Sequence, residues 1–192
     1  MKLILIRHGE TEENVAGIIQ GHIPGKLTKE GKEQVEKVGL RLKDEKIDAI
    51  YTSSLARAKE TAEAIAQYHP GIPFILSDGI REFDVGEITG KHKDEVGEVD
   101  WDNNPPKGAE TRDDVAARVK KVLDLAYEKY KDKTIAFVSH GGTCSIIYSV
   151  ILKKPLEEIK TMERIKNTSV TVFEFKENLN HEIILFNCTE HL

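Results

Sequence analysis

Two histidines stand directly after apolar runs that read as buried strands. His8 follows Lys2 to Ile6 and Arg7, and His140 follows Thr134 to Ser139. Histidine is a competent nucleophile toward phosphorus, because its neutral imidazole nitrogen attacks without first losing a proton. Arg7, beside His8, offers a fixed fork of donors matched to phosphate oxygens. Asn14, six residues after His8, adds another donor. At the second strand end, His140-Gly141-Gly142 leads into a helix whose free N–H groups and dipole favour an anion. Arg57 falls in the first turn of a helix that Ser53-Ser54 can cap, where its charge faces the positive end of the dipole, a slightly unfavourable placement unless an anion lies nearby. Read singly, each has an ordinary alternative: a strand-end histidine bonding backbone, or an arginine in water or paired with Glu60 one turn on.

The elements that must position these residues alternate. Lys2 to Ile6, Asp48 to Thr52, Pro73 to Leu76 and Thr134 to Ser139 are short apolar runs expected to be buried strands. Between them lie amphipathic stretches. Thr28 caps one carrying Val35, Val38 and Leu42, and another carries Leu55, Ala58, Ala62 and Ile65. Thr111 with Asp114 opens a third, with Val115, Val119, Val122 and Ala126 on its stripe. Cys144 to Leu152 is apolar on most sides, which places that helix in the middle of the fold. Pro155 opens a further short helix. Ser169 to Phe175 and Ile183 to Cys188 are expected to close the chain as an antiparallel pair around Glu177 to His181. Strands alternating with helices predict an α/β fold of three layers, α/β/α, with a mostly parallel sheet and helices on both faces. In such sheets ligands sit beyond the carboxyl ends of the strands, where His8 and His140 fall. From Ser77 to Gly108 the chain is rich in glycine and poor in aliphatics, with Pro105-Pro106, so one domain over 1–192 is expected to carry a lid-like insertion at about 77–110.

Bulk properties narrow the classes. A chain of 192 residues with 39% apolar and 32% charged residues suits one globular domain with its own core. A net charge of -5 argues against a nucleic-acid partner. Cys144 and Cys188 have no paired spacing and read as free thiols of a reducing compartment. The apolar run before Arg7 is too short for a signal-peptide core, and no later stretch approaches a membrane span, so the expectation is a cytoplasmic protein. His22, His69, His92, His181 and His191 share no metal-ligand spacing, Ser54 lacks a nucleophile elbow, and no phosphate-binding loop of the G-x-x-x-x-G-K-[ST] type is present. The C-terminal strand pair offers an edge for self-association.

Taken together, Arg7-His8-Gly9-Glu10-Thr11, Asn14, Ser54-x-x-Arg57-Ala58, Glu82 within REFDVGEITG, and Ser139-His140-Gly141-Gly142 resemble the histidine phosphatase superfamily, the phosphoglycerate-mutase-like group. The similarity runs from Lys2 to about Leu152. It implies a phosphatase that acts on a small phosphorylated metabolite without metal or other cofactor. In that scheme His8 becomes the phosphohistidine, while Arg7, Asn14, Arg57 and His140 clamp the phosphoryl oxygens with help from the Gly141 N–H. Glu82 protonates the leaving oxygen and then activates water. Gln20-Gly21 and Glu110-Thr111 resemble substrate-contacting elements of the group, although Ala109 interrupts the second, and Lys26 precedes Leu27 where the group has an aspartate and a proline. A cofactor-dependent phosphoglycerate mutase is the main alternative. It asks for a larger lid than the roughly 28 residues between Glu82 and Thr111 supply. A non-catalytic binding module on the same fold is the other, and it would be free to lose His8, Glu82 or His140.

Overall fold

The computed structural model describes residues 1–176 and 181–192. Among these, six strands form one sheet in the order β3-β2-β4-β1-β5-β6. They are β1 (Lys2–Arg7), β2 (Ala49–Thr52), β3 (Phe74–Leu76), β4 (Thr134–Ser139), β5 (Val170–Glu174) and β6 (Glu182–Cys188). The strands β3, β2, β4 and β1 run parallel, and β5 pairs antiparallel with both β1 and β6. The expected three-layer α/β architecture is therefore present, with a mostly parallel sheet. The turn expected around Glu177 to His181 lies largely outside the described residues.

Strand alternation splits the core between the two faces of the sheet. Leu3, Leu5, Tyr51, Ile135 and Phe137 face one layer, where they pack with α5 (Arg112–Lys129) and α6 (Gly141–Leu152). Ile4, Ile6, Ile50, Ala136 and Val138 face the other, with α2 (Lys29–Leu42) and α3 (Ala56–Ala66). Because β1 and β4 are covered on both sides, they read as unbroken apolar runs. A short α1 (Glu12–Val15) follows β1, and α4 (Lys93–Val96) lies within the irregular segment.

Two helix starts differ from expectation. The central helix begins at Gly141, not Cys144, so both glycines sit inside its first turn. The helix carrying Arg57 begins at Ala56 with Leu55 at its N-cap. Ser53 Oγ accepts from Leu55 N–H at 3.2 Å, whereas Ser54 Oγ donates to Asp78 at 2.6 Å and accepts from Arg81 Nε–H at 2.6 Å. Ser54 is thus drawn into a polar contact with the irregular segment instead of capping. Thr28 and Thr111 cap as expected, the latter in a capping box with Asp114.

Candidate active site

The β1–β4 register aligns Arg7 with Ser139, so the next residues, His8 and His140, emerge side by side at the carboxyl ends of two central strands. Their ring centroids are 5.1 Å apart. Close approach of α2 holds the first of them: a Cβ on Gly31 would lie 2.0 Å from Glu10 O, and one on Gly9 would lie 2.6 Å from Val35 Cγ2. The 8–10 turn and the start of α2 fit together only because both positions lack a side chain.

The hydrogen bonds of His8 fix its tautomer. Its Nδ1 lies 2.7 Å from Gly9 O, and a carbonyl can only accept, so Nδ1 carries the proton. The lone pair is then on Nε2, which accepts from Arg57 Nε–H at 3.3 Å. Burial, followed by the charges of Arg7 and Arg57, holds the ring well below the usual histidine range. The imidazole is neutral, with Nε2 as the available nucleophilic atom.

Arg57 is 1% exposed. Its guanidinium donates to the carbonyls of Ile23 at 2.5 Å and Gly21 at 2.9 Å, and burial pushes its pKa down to about 10. Arg7 is also buried and donates from one terminal nitrogen to Ile165 O at 2.7 Å, while its Nε has no partner among the described residues. His140 Nε2 lies 2.8 Å from Ser53 Oγ, and its buried Nδ1 has no partner among the described residues. Burial, with the charge of Arg57 next, lowers His140 as well, so it contributes a neutral ring here.

Glu82 reaches the start of α6. Its carboxylate accepts from the N–H groups of Gly142 and Thr143, each at 3.1 Å, and from Phe83 N–H at 3.1 Å. The helix-end donors expected to be free for an anion are thus partly taken by this carboxylate. Gly142 permits the contact, since a Cβ there would lie 2.8 Å from Glu82 Oε1. Gly141, the first helical residue, keeps an N–H that no intrahelical carbonyl takes.

A cavity of about 450 Å³ joins these groups; Arg7, His8, Asn14, Gln20, Gly21, Arg57, Glu82 and Gly141 all line it. His140 lies behind His8, fully buried, at ring-contact distance. Glu110 and Thr111 do not line it. Glu110 pairs with Arg118 at 2.8 Å through Oε1 and accepts from Asp84 N–H at 2.8 Å through Oε2, and Thr111 is occupied as a helix cap. Arg118 also donates to the carbonyls of Gly79, Arg81 and Glu82, so the Glu110–Arg118 pair shapes the turn that presents Glu82.

Sequence reasoning missed Asn167. Its Nδ2 donates to His8 O at 3.0 Å and to Asn14 Oδ1 at 3.2 Å, while Thr168 N–H donates to Arg7 O at 3.0 Å. Thr11 N–H also donates to Asn14 Oδ1, at 3.3 Å. Both amide orientations are set by backbone partners whose roles are unambiguous, and Asn14 Nδ2 is left for the cavity. The only signal was the pairing of β5 with β1, which brings the residues just before β5 beside the end of β1. Trp101, Phe83 and Arg112 of the opposite wall were missed too. Both cysteines are free, and Cys144 is buried. No described helix is long and apolar enough to cross a membrane.

The chain as a whole is similar to known proteins. The model of the histidine phosphatase superfamily (branch 1) matches residues 3–189. Phosphoglycerate mutase-like protein 4 of Arabidopsis thaliana is 30% identical over 203 residues, spanning 100% of this chain and 86% of its own. A mutant phosphoserine phosphatase of Entamoeba histolytica, solved in complex with phosphoserine, is 31% identical and superposes with a TM-score of 0.86 over 100% of this chain and 98% of its own. The alpha-ribazole phosphatase of Shigella flexneri is 26% identical, with a TM-score of 0.87 over 98% of this chain and 96% of its own. With a match that leaves out only the chain ends, this protein belongs to the histidine phosphatase superfamily.

Proposed function

We propose that the protein hydrolyses phosphate monoesters of small molecules through a phosphohistidine on Nε2 of His8. The observation that carries this reading is the Nδ1-protonated His8, which lines the cavity with Arg7 and Arg57 and whose unprotonated Nε2 is held 3.3 Å from Arg57 Nε.

In the first step Nε2 attacks phosphorus and the P–O bond to the leaving alcohol breaks. Glu82, carrying a proton, delivers it to the departing oxygen. In the second step a water oxygen attacks phosphorus as Glu82 takes its proton, the P–N bond breaks with its electron pair returning to Nε2, and phosphate departs. Phosphoryl transfer depends chiefly on positioning and charge stabilisation. Arg7, Arg57, the Asn14 amide and the Gly141 N–H supply donors around the transferring group. His140 neighbours the attacking ring as a neutral group and takes on charge only if a bound phosphate dianion raises its proton affinity. The phosphatases among the relatives support the hydrolytic outcome.

The test combines turnover and trapping. Wild-type protein is expected to release phosphate from an aryl phosphate and to carry an acid-labile, base-stable phosphoryl label when quenched mid-reaction. His8→Ala should lose both. Retained turnover in His8→Ala would refute the scheme. Supplying 3-phosphoglycerate with a trace of 2,3-bisphosphoglycerate addresses the mutase alternative, and rapid formation of 2-phosphoglycerate would replace this reading with that one.

A further inference from the structure

Beyond the phosphate end, the cavity changes character. Ile18, Phe83, Trp101, Ile159 and Met162 give its lining an apolar wall, drawn from the loop after α1, the irregular segment and the short 3-10 helix Leu156–Thr161 with its C-cap. The rings of Phe83 and Trp101 stand 5.6 Å apart at 55°, making an aromatic corner. Phe83 is seated against the backbone of α6: a Cβ on Gly142 would lie 3.1 Å from its ring.

Most polar side chains near this wall are engaged elsewhere, although the buried Gln20 Oε1 has no hydrogen-bond partner among the described residues. Arg112 is buried in an ion pair with Asp102, which Lys160 approaches to 3.4 Å. Ser145 Oγ donates to Gly141 O at 3.2 Å, and Glu163 pairs with Lys166 at 3.5 Å. Arg164 is exposed, near enough to Arg7 to affect it electrostatically. A sugar placed here would press several hydroxyls against aliphatic and aromatic carbon with few partners, and each unpaired group opposes binding. A flat apolar group would bury its surface and lie against the aromatic corner.

We propose that this wall is a leaving-group subsite selecting phosphate monoesters of aromatic or compact apolar alcohols over those of sugars and hydroxy acids. The proposal rests on the phosphatase reading above for its catalytic meaning, and on the wall alone for its binding meaning. Phe83 and Trp101 are its specificity-determining residues.

The test uses the full-length protein and esters matched in leaving-group chemistry: 2-phenylethyl phosphate, glucose 6-phosphate and 3-phosphoglycerate. Trp101 is the chain's one tryptophan, so its fluorescence reports occupancy without turnover. In His8→Ala, 2-phenylethyl phosphate should perturb that emission with a Kd at least about tenfold lower than the other two. In wild-type protein kcat/KM should rank the same way, with the difference mainly in KM. Trp101→Ala and Phe83→Ala should each shrink the preference several-fold, and Trp101→Phe should restore most of it.

Equal or tighter binding of glucose 6-phosphate or 3-phosphoglycerate would overturn the proposal, as would an undiminished preference in both alanine variants. Absence of hydrolysis for every ester, with the binding preference intact, would count against the phosphatase reading and still support the subsite.

Discussion

In the proposed reaction the imidazole of His8 attacks phosphorus through an unprotonated nitrogen, and the Gly9 carbonyl leaves Nε2 in that state by accepting the other ring proton. Asn167 does comparable work for Asn14 by occupying its oxygen, so that the amide nitrogen faces the cavity. Asn167→Ala is therefore expected to lower kcat by about tenfold through misaimed donors. The same change made in Asn14→Ala should cost much less, because the two residues share one interaction. A steady-state double-mutant cycle checks this, and additive effects would refute it. Arg57→Lys should fail more severely, with kcat/KM down about 100-fold, since an ammonium cannot reproduce the fork held between the Gly21 and Ile23 carbonyls. Rates near wild type for that variant would remove Arg57 from the clamp. The sequence announced His8, Arg7 and His140 because they follow strands that any apolar-run reading finds. It could not announce Asn167, whose partners are 153 and 159 residues away. It also misplaced Glu110, because sequence adjacency to a helix cap says nothing about Arg118 reaching back one helix face to claim the carboxylate.

Between elements, contact distance is set by missing side chains. A Gly31 Cβ would collide with Glu10 O at 2.0 Å, so Gly31→Ala must lift α2 off the turn that carries His8. We expect a loss of about 1–3 kcal/mol in chemical denaturation, as for other overpacked contacts, together with lower activity. Gly142→Ala should separate the two effects. Alanine favours the helix by about 1 kcal/mol over glycine, which offsets local crowding, but its Cβ would displace the Glu82 carboxylate. Activity should fall while the thermal midpoint moves little, and unchanged kcat would show that Glu82 tolerates a shift. The early start of α6 has the same origin. Two glycines look like a loop in the sequence, yet the missing side chain of Gly142 is what lets Glu82 and Phe83 lie against the helix end.

Across the whole molecule, histidine burial sets an acid limit. His8 and His140 are held well below 6.5, and burial takes His191 down to about 4. Each binds protons more readily unfolded than folded. Their stabilising contribution is therefore complete above about pH 6.5, the unfolded histidine range, and is lost as pH falls toward the folded values. The urea midpoint should drop between pH 7 and pH 5, and less steeply in His191→Gln. A flat profile over that interval would contradict the assignment. Because protein cations surround the phosphate end, activity should also survive exhaustive chelation, and rescue of a chelated sample by magnesium would refute this.

The two ends of the cavity differ in what holds them. Sheet pairing and helix contact fix the end that carries His8 and Arg57, whereas the apolar wall is largely carried by the connection between Glu82 and Thr111 and by the short turn after α6. Under the proposed function, exchanging those connections changes the esters admitted while the backbone that aims Nε2 stays put.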